Sequence, residues 1–409
     1  MQISTVLGNG MVLQREVQNP VWGYTRPGEK VQLIIGEHHL ETQSDKDGYF
    51  EILLPSMKAG GPWEIRLWDT TGRYVFQDVL FGDVFLLGGQ SNMELPLSWI
   101  WDQVKEELAE IRNEQIRMFD LPKEYDFLKK RELLTQGKWV SACGKDLLAF
   151  SAAGYYAAAE IHKKENIPIG LLQTAVGGTP VKAWVSEETI RRQGYYEEEL
   201  ERCRDEKWVE NTIAFETERE QCWWNVAKAS FEKEIRYHDV INIPGFFTGD
   251  LKKYIGSISL KKEFRLQEED LQIDGIVKLY LGAIVDADIV YINGIKVGDT
   301  TFRYPPRLYE VDKSVLHEGI NEIVIHMFVM RENGGFMPDK AYELVLPQGR
   351  HISLMGEWEA ATAISAGYDF FSICGYGPLQ WDAVSIEETE NKGLFFLSGR
   401  VQYRGGRQI

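Results

Sequence analysis

The sequence predicts an α/β protein in which a strand–helix–strand region lies between two β-rich regions. Apolar runs at 83–87 and 167–172 each lead into a glycine-rich loop, and a helical pattern at 151–165 precedes the second run. Alternating apolar and polar residues between turn sequences fill 1–80 and 243–346. At 409 residues the chain is long enough for two or three domains.

Residues 1–80 are predicted to form an N-terminal β-sandwich. Three short runs have strand character: "KVQLIIG" (30–36), "YFEILLP" (49–55) and "WEIRLWD" (63–69). The sequences "RPGE", "DKDG" and "KAGGP" supply turn residues at regular spacing between them. Many short strands with such turns are typical of a sandwich.

Residues 81–242 are predicted to form the first part of an α/β domain. "DVFLLGG" (83–89) and "IPIGLLQTAVGG" (167–178) are typical of buried parallel strands that end in glycine loops. Helical patterns occur at 102–113 and 151–165, and the charged segment 187–238 indicates helices with a solvated face. Sites in such sheets lie at the carboxyl ends of the strands.

Residues 243–346 are predicted to form a second β-sandwich, of jelly-roll type, inserted into the α/β domain. The sequence "YINGIKVG" indicates a hairpin with Asn293 and Gly294 at its tip. Residues 347–409 are predicted to return to the α/β domain.

Composition excludes several classes of partner. The net charge of -17 disfavours nucleic acid and anionic membranes, and the sequence has no run of about twenty apolar residues and no signal-peptide pattern.

Four scattered cysteines without a C-x-x-C pair (Cys143, Cys203, Cys222 and Cys374) favour a reducing cytoplasm and no metal site. No cofactor is expected, and no oligomeric state is indicated. The 12 Trp, 18 Tyr and 19 Phe fit large cores, or surfaces that stack on sugars.

The loop "GGQSNMEL" (88–95) places Ser91 directly after a predicted strand. A serine is a nucleophile only if a base removes its proton and donors stabilise the oxyanion. Gly88 and Gly89 permit a sharp turn there, and Gly177 and Gly178 of the second loop let backbone amides approach a substrate oxygen. A capping or turn role is the alternative for Ser91, but two such loops at successive strand ends favour a site.

The G-Q-S-N-M block at 89–93 and the G-G-T-P-x-x-A-W block at 177–184 resemble those of the sialate O-acetylesterase family. The resemblance implies a flavodoxin-like hydrolase domain of the SGNH type with a sugar-binding-like insertion. It also implies metal-free removal of O-acetyl groups from sialic acids or related sugars. By this resemblance Ser91 is the nucleophile, and Gly178, or alternatively Gly177, joins the Ser91 amide as an oxyanion donor. The substrate-binding residues would be Gln90, Asn92, Thr179 and Trp184.

Two further family blocks, an aromatic-Y-Q-G-E-S-N sequence and a late D-x-x-H that carries the base, are not readable. None of the seven histidines lies in a D-x-x-H sequence (His38, His39, His162, His238, His317, His326 and His351). Codons for 397–404 can be chosen so that a shift of one base reads Y-Q-G-E-S-N-T. We therefore expect a C-terminal truncation or frameshift near Phe396, which would leave apolar sheet residues exposed.

The sequence therefore predicts a serine carbohydrate esterase acting on an acetylated sugar or sialoglycan, with weak activity or none because the base is missing. A non-catalytic carbohydrate-binding protein is the alternative, and a degraded gene product without function is a third. The missing D-x-x-H block fits all three.

Overall fold

The computed structural model describes residues 1–365 apart from positions 125, 129, 195, 233, 273, 331 and 332. It divides into two compact units at the bond between Arg204 and Asp205. The predicted frameshift near Phe396 lies outside the described residues.

The described chain contains six α-helices in addition to short 3-10 turns. They are α1 (Ser91–Glu94), α2 (Trp101–Leu108), α3 (Ala152–Glu165), α4 (Glu187–Gln193), α5 (Glu197–Cys203) and α6 (Glu206–Ala229). The helices predicted at 102–113, 151–165 and within 187–238 are therefore confirmed, with shorter bounds.

The first unit contains eleven strands among the described residues. They are β1 (Gln2–Ile3), β2 (Val12–Gln14), β3 (Pro20–Tyr24), β4 (Lys30–Ile35), β5 (His38–Gln43), β6 (Tyr49–Leu53), β7 (Gly60–Trp68), β8 (Arg73–Leu87), β9 (Arg112–Asp120), β10 (Lys138–Cys143) and β11 (Ile169–Gln173). One sheet has the order β1-β3-β6, and a mixed sheet of eight strands has the order β10-β9-β11-β8-β7-β4-β5, with β2 beside β8.

Strand β8 connects the N-terminal β region with the α/β region. Its first part pairs antiparallel with β7, from Arg73 opposite Trp68, and its last part pairs parallel with β11, to Leu87 opposite Gln173. The sequence "VFQDVLFGDVFLL" (75–87) has Val, Phe and Leu on both sides of position 80, and the strand continues across the domain boundary predicted there. The two regions therefore share one strand rather than a linker.

Alternation along the strands builds the core of the N-terminal region. Val31, Leu33 and Ile35 on β4 are fully buried, and the residues between them are partly exposed. They pack with Val21 and Ile52 from the other sheet in one cluster. Burial on alternate positions is what a strand with one core-facing side produces.

Helix α3 covers one face of the α/β region. Its N-cap residue Ser151 accepts a hydrogen bond from the Gly154 amide at 3.1 Å, which satisfies one of the unpaired N–H groups of the first turn. Tyr155 and Ala158 on α3 pack in a cluster with Leu171 on β11. The parallel pair of β8 and β11 with this helix confirms the α/β class.

The second unit contains thirteen strands among the described residues. They are β12 (Asp239–Ile243), β13 (Gly245–Phe246), β14 (Gly256–Leu266), β15 (Val277–Leu281), β16 (Ile284–Val285), β17 (Ala287–Ile292), β18 (Ile295–Thr300), β19 (Leu308–Val311), β20 (Gly319–Val329), β21 (Gly335–Phe336), β22 (Tyr342–Val345), β23 (His351–Ser353) and β24 (Gly356–Ser365). The sheet orders are β12-β24-β14-β20-β17-β18, β19-β15-β22-β23 and β13-β21-β16.

One apolar core joins the two larger sheets of the second unit. Leu260 and Ile325 of the six-stranded sheet belong to the same buried cluster as Leu279 and Leu344 of the four-stranded sheet. The hairpin predicted at Asn293-Gly294 is confirmed, because β17 and β18 pair antiparallel on either side of it. Both tip residues have positive φ, 49° and 79°, as a primed two-residue turn requires.

Two predicted boundaries of the second β region differ from the structure. Strand β24 pairs with β12 and β14, so the region continues beyond 346 to at least Ser365. The alternation in "GEWEA" (356–360), with Trp358 and Ala360 buried and Glu357 and Glu359 exposed, is a strand pattern that explains this extension.

The start of the second unit also lies earlier than the predicted 243. Trp223 and Ala227 on α6 pack in one cluster with Ala287 and Phe328 of the six-stranded sheet. Helix α6 therefore belongs to the second unit, although its charged sequence predicted only a solvated face.

Candidate active site

The two glycine-rich loops leave adjacent parallel strands at the same end of the sheet. Thr174 and Val176 extend the ladder beyond β11, since their amides donate to the carbonyls of Leu87 and Gly89 at 3.0 Å each. Ser91 begins α1 directly after the first loop. The structure therefore brings the two loops together, as the sequence predicts.

Ser91 lies against Gly177, although 86 positions separate them in the sequence. A Cβ atom built on Gly177 would lie 3.5 Å from the Ser91 Cβ and 2.8 Å from Glu94 Oε2. A side chain there would touch the serine and displace the Glu94 carboxylate, which accounts for a glycine at this position. Ser91 itself is exposed, and its hydroxyl has no hydrogen-bond partner among the residues that the structure describes.

Gln90, Thr179 and Trp184 form a small network around the second loop. The Gln90 side-chain amide donates to the Thr179 carbonyl oxygen. The Thr179 hydroxyl donates to the Val176 carbonyl at 2.7 Å and accepts from the Trp184 indole N–H at 3.0 Å. These polar groups hold the loop in shape, while the Trp184 side chain is 45% exposed and available to a ligand.

The predicted oxyanion donors differ in their surroundings. The Gly177 amide donates to the Glu94 carboxylate. Gly178 has φ of +80°, a conformation that glycine adopts without strain, and a Cβ built on it would meet open space. The contact with Glu94 therefore favours Gly178 over Gly177 as the second-loop donor. Asn92 is exposed on α1.

Sequence reasoning missed Glu94 and Lys123. Glu94 lies in the same block as Ser91, and its other carboxylate oxygen forms an ion pair with Lys123 Nζ. The Glu94 side chain is 23% exposed, whereas that of Lys123 is 61% exposed. The acidic residue three positions after the serine was the available signal, but only the fold shows that it reaches the second loop.

The histidines of the first unit do not hydrogen bond to Ser91 among its described residues. His38 and His39 lie on β5, and His162 lies near the end of α3, where its Nδ1 contacts the Ile167 carbonyl at 2.7 Å. No predicted base is therefore brought to the serine within that part of the chain.

Apolar residues are exposed near the end of β8. Phe85 is 39% exposed and Leu86 is 68% exposed, although strands of this kind are ordinarily covered on both faces.

Among the described residues, no group of three or more His, Cys, Asp or Glu side chains is arranged to hold a metal ion. The described helices include none with the length and apolar character of a membrane span.

An exposed serine in a sharp loop after a buried parallel strand, beside a second glycine loop, is the arrangement of a serine-dependent hydrolase. Residues 81–215 match the family described as carbohydrate esterase, sialic acid-specific acetylesterase. The match supports, for this segment, the family that the two sequence blocks indicate.

Several related proteins match a little under half of the chain. The sialate O-acetylesterase of Mus musculus is 28% identical over 210 residues, which cover 47% of this chain and 39% of that protein. The sialate O-acetylesterase of Homo sapiens is 27% identical over 211 residues, covering 47% and 40%. A carbohydrate acetylesterase from Xanthomonas citri, known as a crystal structure, is 31% identical with a TM-score of 0.44 and coverage of 46% and 43%. The chain thus spans about two fifths of the length of these named relatives.

Proposed function

We propose that the chain carries the nucleophile region of a carbohydrate O-acetylesterase that acts on O-acetylated sialic acid or a related sugar. The observation that carries this proposal is the contact of Ser91 with Gly177 across two parallel strand ends, inside the segment that matches the family. The relatives are sialate O-acetylesterases, and this supplies the substrate class of the proposal.

The proposed chemistry is acyl transfer through the serine. Ser91 Oγ attacks the acetyl carbonyl carbon while a base takes its proton, and the backbone amides of Ser91 and Gly178 stabilise the oxyanion. The sugar hydroxyl leaves with a proton, and water then attacks the acetyl-enzyme to release acetate and restore the serine. Gln90, Asn92, Thr179 and Trp184 would contact the sugar or shape the loop around it.

The proposal includes the finer architecture. The sheets that share the N-terminal core would form a β-sandwich, and those that share the core of the second unit would form an inserted jelly roll. The strands and helices between them would be part of a flavodoxin-like SGNH domain. The single core between two sheets in each β region supports this description.

Acetate release from 9-O-acetylated sialic acid tests the proposed function. Because the described residues supply Ser91 with no hydrogen-bonded base, we expect slow release that falls to background in Ser91→Ala. Lys163→Ala is the control, since it changes an exposed residue near the end of α3 that has no role in the proposed site. Release at the same rate in wild type and Ser91→Ala would contradict the proposal.

A non-catalytic carbohydrate-binding protein is the second candidate. Phe302 and Tyr304 favour it, because their rings lie 5.1 Å apart and are 45% and 46% exposed between β18 and β19. Aromatic rings at a surface can stack on the C–H face of a sugar. Glycan binding that survives Ser91→Ala, is lost in Phe302→Ala and proceeds without acetate release would favour this candidate.

A further inference from the structure

Glu94 occupies a position that the proposed acyl transfer does not explain. It lies three residues after Ser91 on α1, so the two side chains project from the same side of one helical turn. Its carboxylate accepts the Gly177 amide, and the same group pairs with Lys123. One acidic side chain thus contacts the second glycine loop at the point where that loop approaches the nucleophile.

The geometry limits what Glu94 can do. Because a Cβ on Gly177 would lie 2.8 Å from Glu94 Oε2 and 3.5 Å from the Ser91 Cβ, all three residues meet at one place. The Gly177 N–H is directed at a carboxylate, and a negative charge there would oppose an oxyanion bound to the same amide. Gly177 is therefore held by Glu94 and is not a donor to the substrate.

Two other hydrogen bonds also connect the region around Ser91 with the second loop and the strand before it. Gln173 Nε2 donates to the Met93 carbonyl at 3.4 Å, and the Gln90 amide donates to the Thr179 carbonyl. The contact from Glu94 lies between these two along the second loop and is the one made by a charged acceptor. Hydrogen bonds to charged acceptors are roughly twice as strong as neutral ones.

We propose that Glu94 is a positioning residue, which holds the Gly177 amide so that the next amide, that of Gly178, faces the oxyanion formed at Ser91. This inference rests on the proposed esterase function for its consequence, but the hold on Gly177 is a property of the folded protein and can be measured separately. Lys123 neutralises the carboxylate from its solvent side.

Hydrogen exchange at the Gly177 amide, in the full chain labelled with ¹⁵N-glycine, tests the hydrogen bond from this amide to Glu94. We expect exchange in Glu94→Ala to be at least about tenfold faster than in wild type, since an amide released from a hydrogen bond opens to water. Glu94→Gln retains an acceptor oxygen and should stay within about threefold of wild type. Lys123→Ala, which leaves the carboxylate in place, is the matched control and should also protect Gly177.

Acetate release from 9-O-acetylated sialic acid tests the consequence. Loss of one oriented oxyanion donor costs about 10²-fold in kcat, so Glu94→Ala should lower kcat by that order with KM within about threefold, and Glu94→Gln should restore most of it. Equal Gly177 exchange in wild type and Glu94→Ala would overturn the proposal, as would faster exchange with unchanged kcat. Faster exchange in a protein whose wild type releases no acetate would refute the esterase function and confirm the hold.

Discussion

The buried ion pair of the second unit allows a quantitative prediction. Arg307 is fully buried, and its Nε donates to Asp288 Oδ1 at 2.7 Å. Its Nη2 donates to the carbonyls of Ile284 and Asp286 at 2.9 and 3.1 Å. Asp288 is 2% exposed, so Arg307→Met would leave its carboxylate buried with the Tyr309 hydroxyl, at 2.8 Å, as a remaining donor.

The expected cost of Arg307→Met is about 3–5 kcal/mol in the free energy of unfolding, the range for an ion that loses its buried partner. Asp288→Asn combined with Arg307→Met is the matched control. It removes both charges, so its loss should be smaller than the sum of the two single losses.

The cost of Arg307→Met should also depend on pH. Burial raises the pKa of Asp288, and the Arg307 guanidinium opposes that rise. Without Arg307 the pKa of Asp288 in the folded protein moves further above its unfolded value. The folded state then holds the proton more tightly, so stability is lost as pH rises above the unfolded pKa. Arg307→Met should therefore be more destabilising at pH 8 than at pH 5.

Urea unfolding at both pH values, followed by tryptophan fluorescence, measures these differences. Trp358 is 1% exposed in the core of the same unit and is one of the 12 tryptophans that contribute to this signal. A loss below about 1 kcal/mol at pH 8 would refute the reasoning, because an unpaired buried carboxylate costs more than that. A loss that is equal at the two pH values would refute the assignment of the effect to Asp288.

Three further outcomes are expected from urea or thermal unfolding. Gly82→Ala should unfold the first unit or lower its yield severely, because the new Cβ would lie 1.9 Å from the Pro168 carbonyl oxygen; wild-type stability would contradict this. Ser151→Ala should lower the free energy of unfolding by about 1 kcal/mol, because it removes the N-cap of α3. Ser186→Ala, which removes the exposed N-cap of α4, is the control. Burial lowers the pKa of His326 from 6.5 to about 4, so stability should fall as pH falls through that window. His326→Leu should flatten that fall, and an unchanged slope would exclude His326 as its source.

Sequence alone indicated the candidate nucleophile loop and its partner because both patterns are local. Glycines at 88–89 and 177–178 follow apolar runs, and parallel strands place such loops at one sheet edge. The Asn293-Gly294 turn was predictable for the same reason, since two-residue turns specify their own backbone conformation. The predicted cytoplasmic location stays a prediction.

The boundaries of the β regions needed the tertiary structure. Strand β24 has a readable alternation, but its pairing with β14, about 100 positions earlier, decides which region it joins. Helix α6 has charges around most of its surface, and only the packing of Trp223 against Phe328 shows which face is buried. Local periodicity indicates that a segment has an apolar face, but it does not indicate which element packs against that face.

The sequence by itself determined the α/β class, the family blocks and Ser91 as the candidate nucleophile. The tertiary structure decided that Gly177 is held by Glu94, and it favours Gly178 as the remaining donor of the second loop. The physical reason is that an amide hydrogen bond depends on where two loops meet in space. Gly177 and Glu94 are 83 positions apart in the chain, and neither residue type specifies the other as its partner.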